Sequence, residues 1–544
     1  MIGSAFGTSN RPQGRTAEVS RFPVPYAGID ARKALANEEV THALYSYNLV
    51  PSQSGLRSRK GYREWCVGVP APINTIIPFD SIEQGGISDR LFAATPEGIY
   101  EVTEDATPTL KVAFNNQTVG AGYGVYTHYT GQAEQDVLLY ADERNGLFMY
   151  DPSGNTWAQA TGITGPVIEN IRFVTIHKGR LWFTERDSNS AWYLDLDAVQ
   201  GAATEFFFGS KFRYGGNVAG MFSWTADGGA GVDEYFVAVS RAGDVIVYQG
   251  SDPDTADDWG LVGTYYIGEV PAGGSFGTVH GGDLYLLSIY GLASLGSLLQ
   301  GVDSANIINA ADSTAPSAKV TPILQTAMQG TYTEFGWSVR RLPSFGLLLV
   351  SAPTLGSSVP LQLAYNYSVS GWGVWRGVPL IGYDSWKGGV YIGTADGRVC
   401  AMDVSVDNQL LSPAQRSVNG RDIDISLQTA FTSFGEAGRY KKVIQIRVDA
   451  ISTQEPFLQS SARFDYLQAE SLLQGAAPST GTSFWDSGLW DFSVWNADTA
   501  KGFDSLRGSW GIGRYVGINL IGSCRSETTI VGWDVIHQSG GPLL

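Results

Sequence analysis

Few residues in this chain could carry chemistry, and their spacing is informative. Its five histidines, His42, His128, His177, His280 and His537, are scattered, and no H-x-x-x-H or H-E-x-x-H pair stands among them. His177 and His280 fall at equivalent places in a repeated strand pattern, so a structural role is expected for both. Cys66, Cys400 and Cys524 lie far apart, which points away from a disulfide framework or a cysteine metal site and towards a reducing compartment. The acidic run Ser251-Asp252-Pro253-Asp254-Thr255-Ala256-Asp257-Asp258 has the carboxylates to hold Ca²⁺ but not the ligand order of an EF-hand, and reads as a solvated loop. No G-x-S-x-G elbow and no Walker lysine occur in the required context; Gly-rich pieces such as Gly228-Gly229-Ala230-Gly231 read as turns between strands. No catalytic residue, metal or cofactor is therefore expected, and the chain does not read as an enzyme.

Two clusters remain. Arg57, Arg59, Lys60 and Arg63 put four cations within seven positions, suited to phosphate oxygens or to an acidic neighbouring protein, although such runs more often keep a strand end wet. Trp485, Trp490 and Trp495 recur every five residues, a period that suits neither a helix nor a strand face. Three indoles can stack sugars; more often they pin a long loop onto a sheet.

The elements that must position these residues are strands. Gly accounts for 67 of 544 residues, aromatics for 12% and charged residues for only 16%, a balance that suits many short strands joined by tight turns. The hydrophobic fraction of 43% is enough for a sizeable core. Neither an apolar leader peptide nor a run of 18 apolar residues is present, so a soluble chain that is not Sec-exported is expected. The net charge of −17 is uneven: up to residue 65, nine Lys or Arg face five Asp or Glu, and the rest is strongly acidic. An acidic body does not form a broad nucleic-acid grip, but it would let a duplex slide past.

The stretch Gly388 to Asp403 is a complete β-hairpin in sequence, with apolar and β-branched residues alternating on both sides of Asp396-Gly397. Similar hairpins begin near Leu91, Val137, Leu181, Tyr235, Leu284, Leu347 and Val390, at separations of 43 to 63 residues, which brackets one four-stranded propeller blade. Preceding strands are expected at Phe173 to His177, Phe276 to His280 and Ile381 to Trp386. Trp157, Trp259 and Trp372 are placed as outer-strand residues packing between sheets; the peptide around Trp157 resembles the end of a kelch repeat without the rest of that motif. Gly301 to Asp312 reads as an inserted loop. The expectation is an all-β chain: an irregular leader over 1–70 with one helix near Asn37 to Leu44, a β-propeller of seven or eight blades over 71–410, and a β-sandwich-like domain over 411–544 with strands at Ile423, Val443, Ala462, Tyr515 and Ile530.

The leader adds a resemblance. Gly28, Ile29 and Arg32, then Asn48 and Pro51, then Arg59 and Gly61, form an ordered set that resembles the N-terminal leader of tail nozzle proteins from short-tailed bacteriophages, with Asp30 in the place of the usual Asn and Lys60 where Pro is common. The propeller followed by a Trp- and Gly-rich finish near Gly540-Gly541 fits the same layout. The resemblance implies a structural component of the virion tail, assembled in the host bacterial cytoplasm as a homo-oligomeric ring of six chains. Such a ring would sit below portal and adaptor, contact other tail proteins and, transiently, the viral double-stranded DNA, without membrane insertion. It would extend the DNA channel, retain the packaged genome and open for ejection. The alternative is a carbohydrate-binding or glycan-cleaving propeller acting at the host surface, with carboxylates from different blades converging on the axis.

Overall fold

The structure is a computed structural model and describes residues 17–82, 88–104, 107–131, 136–226, 233–255, 257–300, 316–353, 360–410, 420–467 and 501–542. Trp485, Trp490 and Trp495, the Gly301 to Asp312 insertion and the Gly228 to Gly231 turn lie outside the described residues.

Seven antiparallel sheets form the blades of a β-propeller. Their innermost strands are Thr75–Phe79, Gly124–Thr130, Ile171–His177, Val218–Ala226, Gly277–His280, Ser338–Leu342 and Tyr383–Trp386. Each is followed by the hairpin that the alternating pattern marks, and all seven expected hairpins form. The seventh innermost strand lies against the first, so the blades close into a ring.

Aromatic residues fill the wedges between blades. Trp157, on the outermost strand of blade two, stands edge-on to Phe92 of blade one at 5.3 Å, and Trp259 of blade four stacks on Trp182 of blade three at 5.8 Å and 15°. These offset and edge contacts bring large apolar area out of water with favourable ring geometry. Trp372 differs: it packs within blade six on Tyr365 and donates its indole N–H to the Pro316 carbonyl at 2.8 Å.

Blades five and seven depart from four consecutive strands. Blade five has three described strands, and the chain continues through helix α1 (Leu295–Leu299) and, after residue 315, helix α2 (Thr321–Met328). Leu298, Leu324 and Met328 of these helices share one core with Leu284 and Leu286 of the blade. In blade seven the fourth strand comes from the other end of the chain.

The leader supplies five strands: β1 (Glu18–Pro23), β2 (Ala43–Tyr47), β3 (Leu49–Ser52), β4 (Gly55–Ser58) and β5 (Gly61–Val67). Strand β5 completes blade seven, pairing Val67 with Arg398 and Cys66 with Val399. The propeller is thus closed by an N-terminal strand, which removes the exposed edge an open ring would present. The helix expected from Asn37 to Leu44 does not form. A 3₁₀ turn covers Leu35–Asn37, and β2 begins at Ala43, which is fully buried and pairs with Thr429. Helical propensity over eight residues is too weak to compete with a sheet position that buries the segment.

The remaining leader strands join the C-terminal region in a β-sandwich. One sheet carries Arg439–Ser452 between Lys501–Gly513 and Thr528–Pro542, with β1 and β4 both on the free side of Thr528–Pro542. The other runs β2, Ile423–Thr429, Val516–Cys524, Phe457–Phe464. Phe22, Leu49 and Leu56 of the leader pack with Ile425, Val448, Leu520 and Trp533 between the two sheets. Strand β2 also pairs in parallel with the outermost strand of blade six, at Tyr47 and Val374, so that sheet continues unbroken from propeller to sandwich.

Candidate functional site

Strands β4 and β5 and the turn between them carry the four cations of the leader, Arg57 on β4, Arg59 and Lys60 in the turn and Arg63 on β5, and the fold divides them. Arg59 is buried, its side chain 1% exposed, against an Asp407 carboxylate 3% exposed. Its Nη1 and Nη2 donate to the two Asp407 oxygens at 2.7 and 2.6 Å, and its Nε donates to Asn48 Oδ1 at 2.9 Å. Further bonds to the Arg376 and Lys60 carbonyls at 2.9 and 3.0 Å use up the planar fork. Arg59 is therefore not available to phosphate: a guanidinium bound on both edges inside the protein has no donor facing outward. This corrects its reading as a contact residue.

The other three stay nearer the surface, each with a carboxylate. Arg63 holds Asp403 in a bidentate pair at 2.7 to 3.0 Å. Lys60 lies 2.6 Å from Glu527, and Arg57 3.9 Å from the same carboxylate. Arg57 and Lys60 keep 39% and 37% of their side chains exposed, so they are the two members of the cluster that can still meet a partner. Glu527 offsets part of their charge.

The leader residues that carry the phage-tail resemblance meet at this junction. Asn48, in the left-handed region at φ 59°, donates its amide to the Asp424 carbonyl and accepts from both Arg59 and the Arg376 amide. Gly28, at φ 74°, and Pro51 meet the Trp372 backbone and Gly371 of blade six. A Cβ on Gly61 would stand 2.0 Å from the Val406 carbonyl oxygen, so only glycine allows β5 its approach to blade seven. Asp30 takes the Arg32 guanidinium at 3.0 and 2.8 Å. Gly28, Asn48, Pro51, Arg59 and Gly61 each join the leader to a segment more than 300 positions away, whereas Asp30 with Arg32, and Asn48 with Arg59, are pairs within the leader.

The propeller axis is the other place where side chains from separate blades converge. A cavity of ≈ 200 Å³ is lined by Tyr126, Thr175, Phe222, Thr278 and Arg340. Arg340 Nη1 and the Tyr126 hydroxyl both donate to Asp384 Oδ2 at 2.7 Å. Burial pushes the Tyr126 phenol far above its ordinary value, while the Asp384 charge holds the Arg340 guanidinium up. Asp384 is the one carboxylate on the seven innermost strands. Two carboxylates about 5 to 9.5 Å apart, the requirement of glycoside hydrolysis, are not supplied by those strands.

The remaining sequence candidates have internal partners. In the acidic loop, Asp258 accepts from the Ser251 amide and hydroxyl and from the Asp252 amide, which keeps its carboxyl below the usual range. Asp252 meets Arg180 at 3.3 Å, and Asp254 takes the Tyr193 hydroxyl. These carboxylates close their own turn and tie it to blade three. His177 and His280 both end innermost strands; His177 is buried beside Trp259 and Phe236 and shares the Ser223 hydroxyl with Glu234. Cys66, Cys400 and Cys524 are buried free thiols, and burial pushes Cys400 up to about 12.

The partners Asp407 and Asp384 carry no local sequence signal, because each is chosen by a contact with a segment distant in the chain. Among the described residues, no helix is long and apolar enough to cross a membrane.

No family model matches the chain, and no curated protein does. Three solved structures match part of the chain at low identity. A computationally designed protein, Ika8, matches at 9% identity and a TM-score of 0.35, over 63% of this chain and 99% of its own. The WD40 domain of Neurospora crassa Pan2 matches at 11% identity and a TM-score of 0.33, over 61% and 90%. The extracellular domain of a putative hybrid two-component system, BT3049, from B. thetaiotaomicron matches at 14% identity and a TM-score of 0.37, over 62% and 41%. At these values the likeness carries no function, and the propeller assignment rests on the strand pairing described above.

Proposed function

We propose that this chain is a structural component of a short-tailed phage tail, a nozzle or hub subunit that assembles into a ring, extends the DNA channel below portal and adaptor, retains the packaged genome and opens for ejection. The observation that carries the reading is the use of the leader. Gly28, Asn48, Pro51, Arg59 and Gly61, which carry the resemblance to nozzle leaders, are the residues that weld sandwich, blade six and blade seven together. A motif read as a family signature thus corresponds to a set of long-range contacts that this architecture needs.

The mechanical role suits the physics. A propeller closed by its own N-terminal strand is a stiff block without a free edge at its seam, and its continuous sheet into the sandwich transmits load between the two parts. Identical blocks of this kind form rings by repeating one heterologous contact around an axis. Arg57 and Lys60 provide exposed cations for an acidic neighbour, and the acidic body repels a passing duplex. The glycan-directed alternative has one carboxylate on the innermost strands, already held by Arg340 and Tyr126.

Quantitative mass spectrometry of purified virus particles from producing cells tests the proposal by counting this chain against a capsid protein. About six copies per particle is the expected result for a closed ring. Absence of the chain from particles overturns it.

A further inference from the structure

Between Ile29 and Ala43 the leader folds back on itself, and the Ala43 amide donates to the Gly28 carbonyl at 2.9 Å. That return brings together three side chains whose spacing alone suggests no site: Asp30, Glu38 and His42, which are 3, 7 and 7% exposed. One ligand atom from each lies within 4.8 Å of the other two. His42 Nδ1 is 3.3 Å from Glu38 Oε1, yet neither imidazole nitrogen and neither Glu38 oxygen is in hydrogen-bond geometry with any group. The Glu38 side chain is only 1% exposed.

Four orphaned polar atoms in one buried pocket need an explanation, since burying a polar group without a partner is costly. Burial, reinforced by the Asp30 charge, pushes the Glu38 carboxyl up to about 7, and burial pulls the His42 imidazole down. A proton shared between Glu38 Oε1 and His42 Nδ1, 3.3 Å apart, still leaves the other Glu38 oxygen and His42 Nε2 without partners. A bound dication uses their lone pairs.

We propose that Asp30, Glu38 and His42 form a binding site for a transition-metal dication, zinc above all, which clamps the folded-back leader onto blade six. One imidazole nitrogen with two carboxylates suits zinc better than calcium or magnesium, which favour all-oxygen shells. Three protein ligands leave a fourth tetrahedral position for water. Asp30 is already oriented by Arg32, whose Nε and Nη2 hold its two oxygens, the kind of outer-shell support that ligating carboxylates receive.

The surrounding charges shape the selectivity. Lys33 is paired with Glu39 at 3.0 Å, and Lys319 donates to the Ala27 and Ser370 carbonyls at 3.2 and 3.4 Å. With Arg32, these cations balance the three carboxylates nearby, so the pocket has no strong negative field to gather hard cations. Affinity then depends on directed ligation, and imidazole-preferring metals are favoured. The position explains what the metal would do: the Ile29 amide bonds the Trp372 carbonyl, the Ala31 amide bonds the Lys319 carbonyl, and the His42 carbonyl accepts from Ala430 of the sandwich.

The test uses the untagged full-length chain, stripped with a chelator and equilibrated with one equivalent of ZnCl₂. Elemental analysis after desalting is expected to find close to one zinc per chain, with a higher melting temperature than the stripped protein. CaCl₂ and MgCl₂ should have no such effect. Glu38→Gln, which keeps shape and loses charge, and His42→Ala should each weaken zinc binding at least about tenfold. Cobalt(II) should give visible d–d absorption in the wild type that Glu38→Gln removes. A stripped wild-type chain that takes up no zinc after equilibration with ZnCl₂ and desalting, or variants that bind it as tightly as the wild type, would overturn the proposal. Should His42→Ala fail to fold, the wild-type titration and the isosteric Glu38→Gln variant decide it.

Discussion

Removing the Arg59 side chain tests whether the leader cluster is a structural weld. In Arg59→Ala the Asp407 carboxylate, 3% exposed, loses both of its bonds to the guanidinium, and Asn48 Oδ1 and the Arg376 carbonyl each lose one. Breaking one side of a buried ion pair costs about 3–5 kcal/mol, because the surviving charge stays buried without its partner. The propeller spans 330 residues from Thr75 to Val404. At about 2.1 cal/mol/K per residue, its unfolding entropy near 60 °C is about 0.7 kcal/mol/K, so the melting temperature should fall by about 4–7 °C. Differential scanning calorimetry reads the shift directly. Arg63→Ala is the control: its partner Asp403 is 47% exposed, and a pair of that kind is worth about 0–1 kcal/mol, or about 1 °C. The double variant Arg59→Met, Asp407→Leu should recover part of the loss, since it leaves no lone charge. An Arg59→Ala variant that melts within about 1 °C of the wild type would refute the weld.

Other consequences are equally measurable. Gly388 and Gly397 stand in the turns on either side of the strand Gly389–Gly393, at φ 73° and 74°, but a Cβ meets nothing at Gly388 and stands 1.9 Å from the Val69 carbonyl oxygen at Gly397. Gly388→Ala should therefore cost about 1–2 kcal/mol in denaturant titration from the left-handed backbone alone, and Gly397→Ala distinctly more; equal losses would count against the contact. Burial holds His177 down to about 4 from 6.5, so the unfolded chain binds more protons between these values and stability falls as pH drops from about 6.5 to 4. His177→Gln should flatten that part of the acid-melting curve; an unchanged slope would show that other groups set it. Replacing Arg57 and Lys60 together with Glu should lower the number of copies incorporated per particle while leaving the isolated chain's melting temperature within about 2 °C, because both pairs with Glu527 are solvent-exposed. Unchanged incorporation would remove these residues from any ring contact.

What the sequence determined by itself was the set of elements with strong local signals. Seven hairpins were legible because alternation of apolar residues and a tight turn are properties of neighbouring residues, as at Val390 to Val399 around Asp396-Gly397. The strand Ile423–Thr429 was legible for the same reason, and Trp157 and Trp259 occupy the inter-blade places that their positions in the repeat imply. The leader was harder to read. Its prolines suggest irregular chain and its residues near Asn37 suggest a helix, yet strands β1 to β5 form because edges provided by Thr528–Pro542, Ile423–Thr429 and Arg398–Val404 accept them. A short segment with weak propensity takes the conformation that its distant partner offers. The basic cluster shows the same division. Four cations in seven residues are visible in sequence, but only the tertiary structure buries Arg59 against Asp407, 348 positions away, while Arg57 and Lys60 stay exposed. Asp30, Glu38 and His42 lack a metal-ligand spacing, and it is the fold-back of the leader that makes them neighbours. Local pattern sets which strands exist; burial and long-range pairing decide which charges meet and which remain free to act.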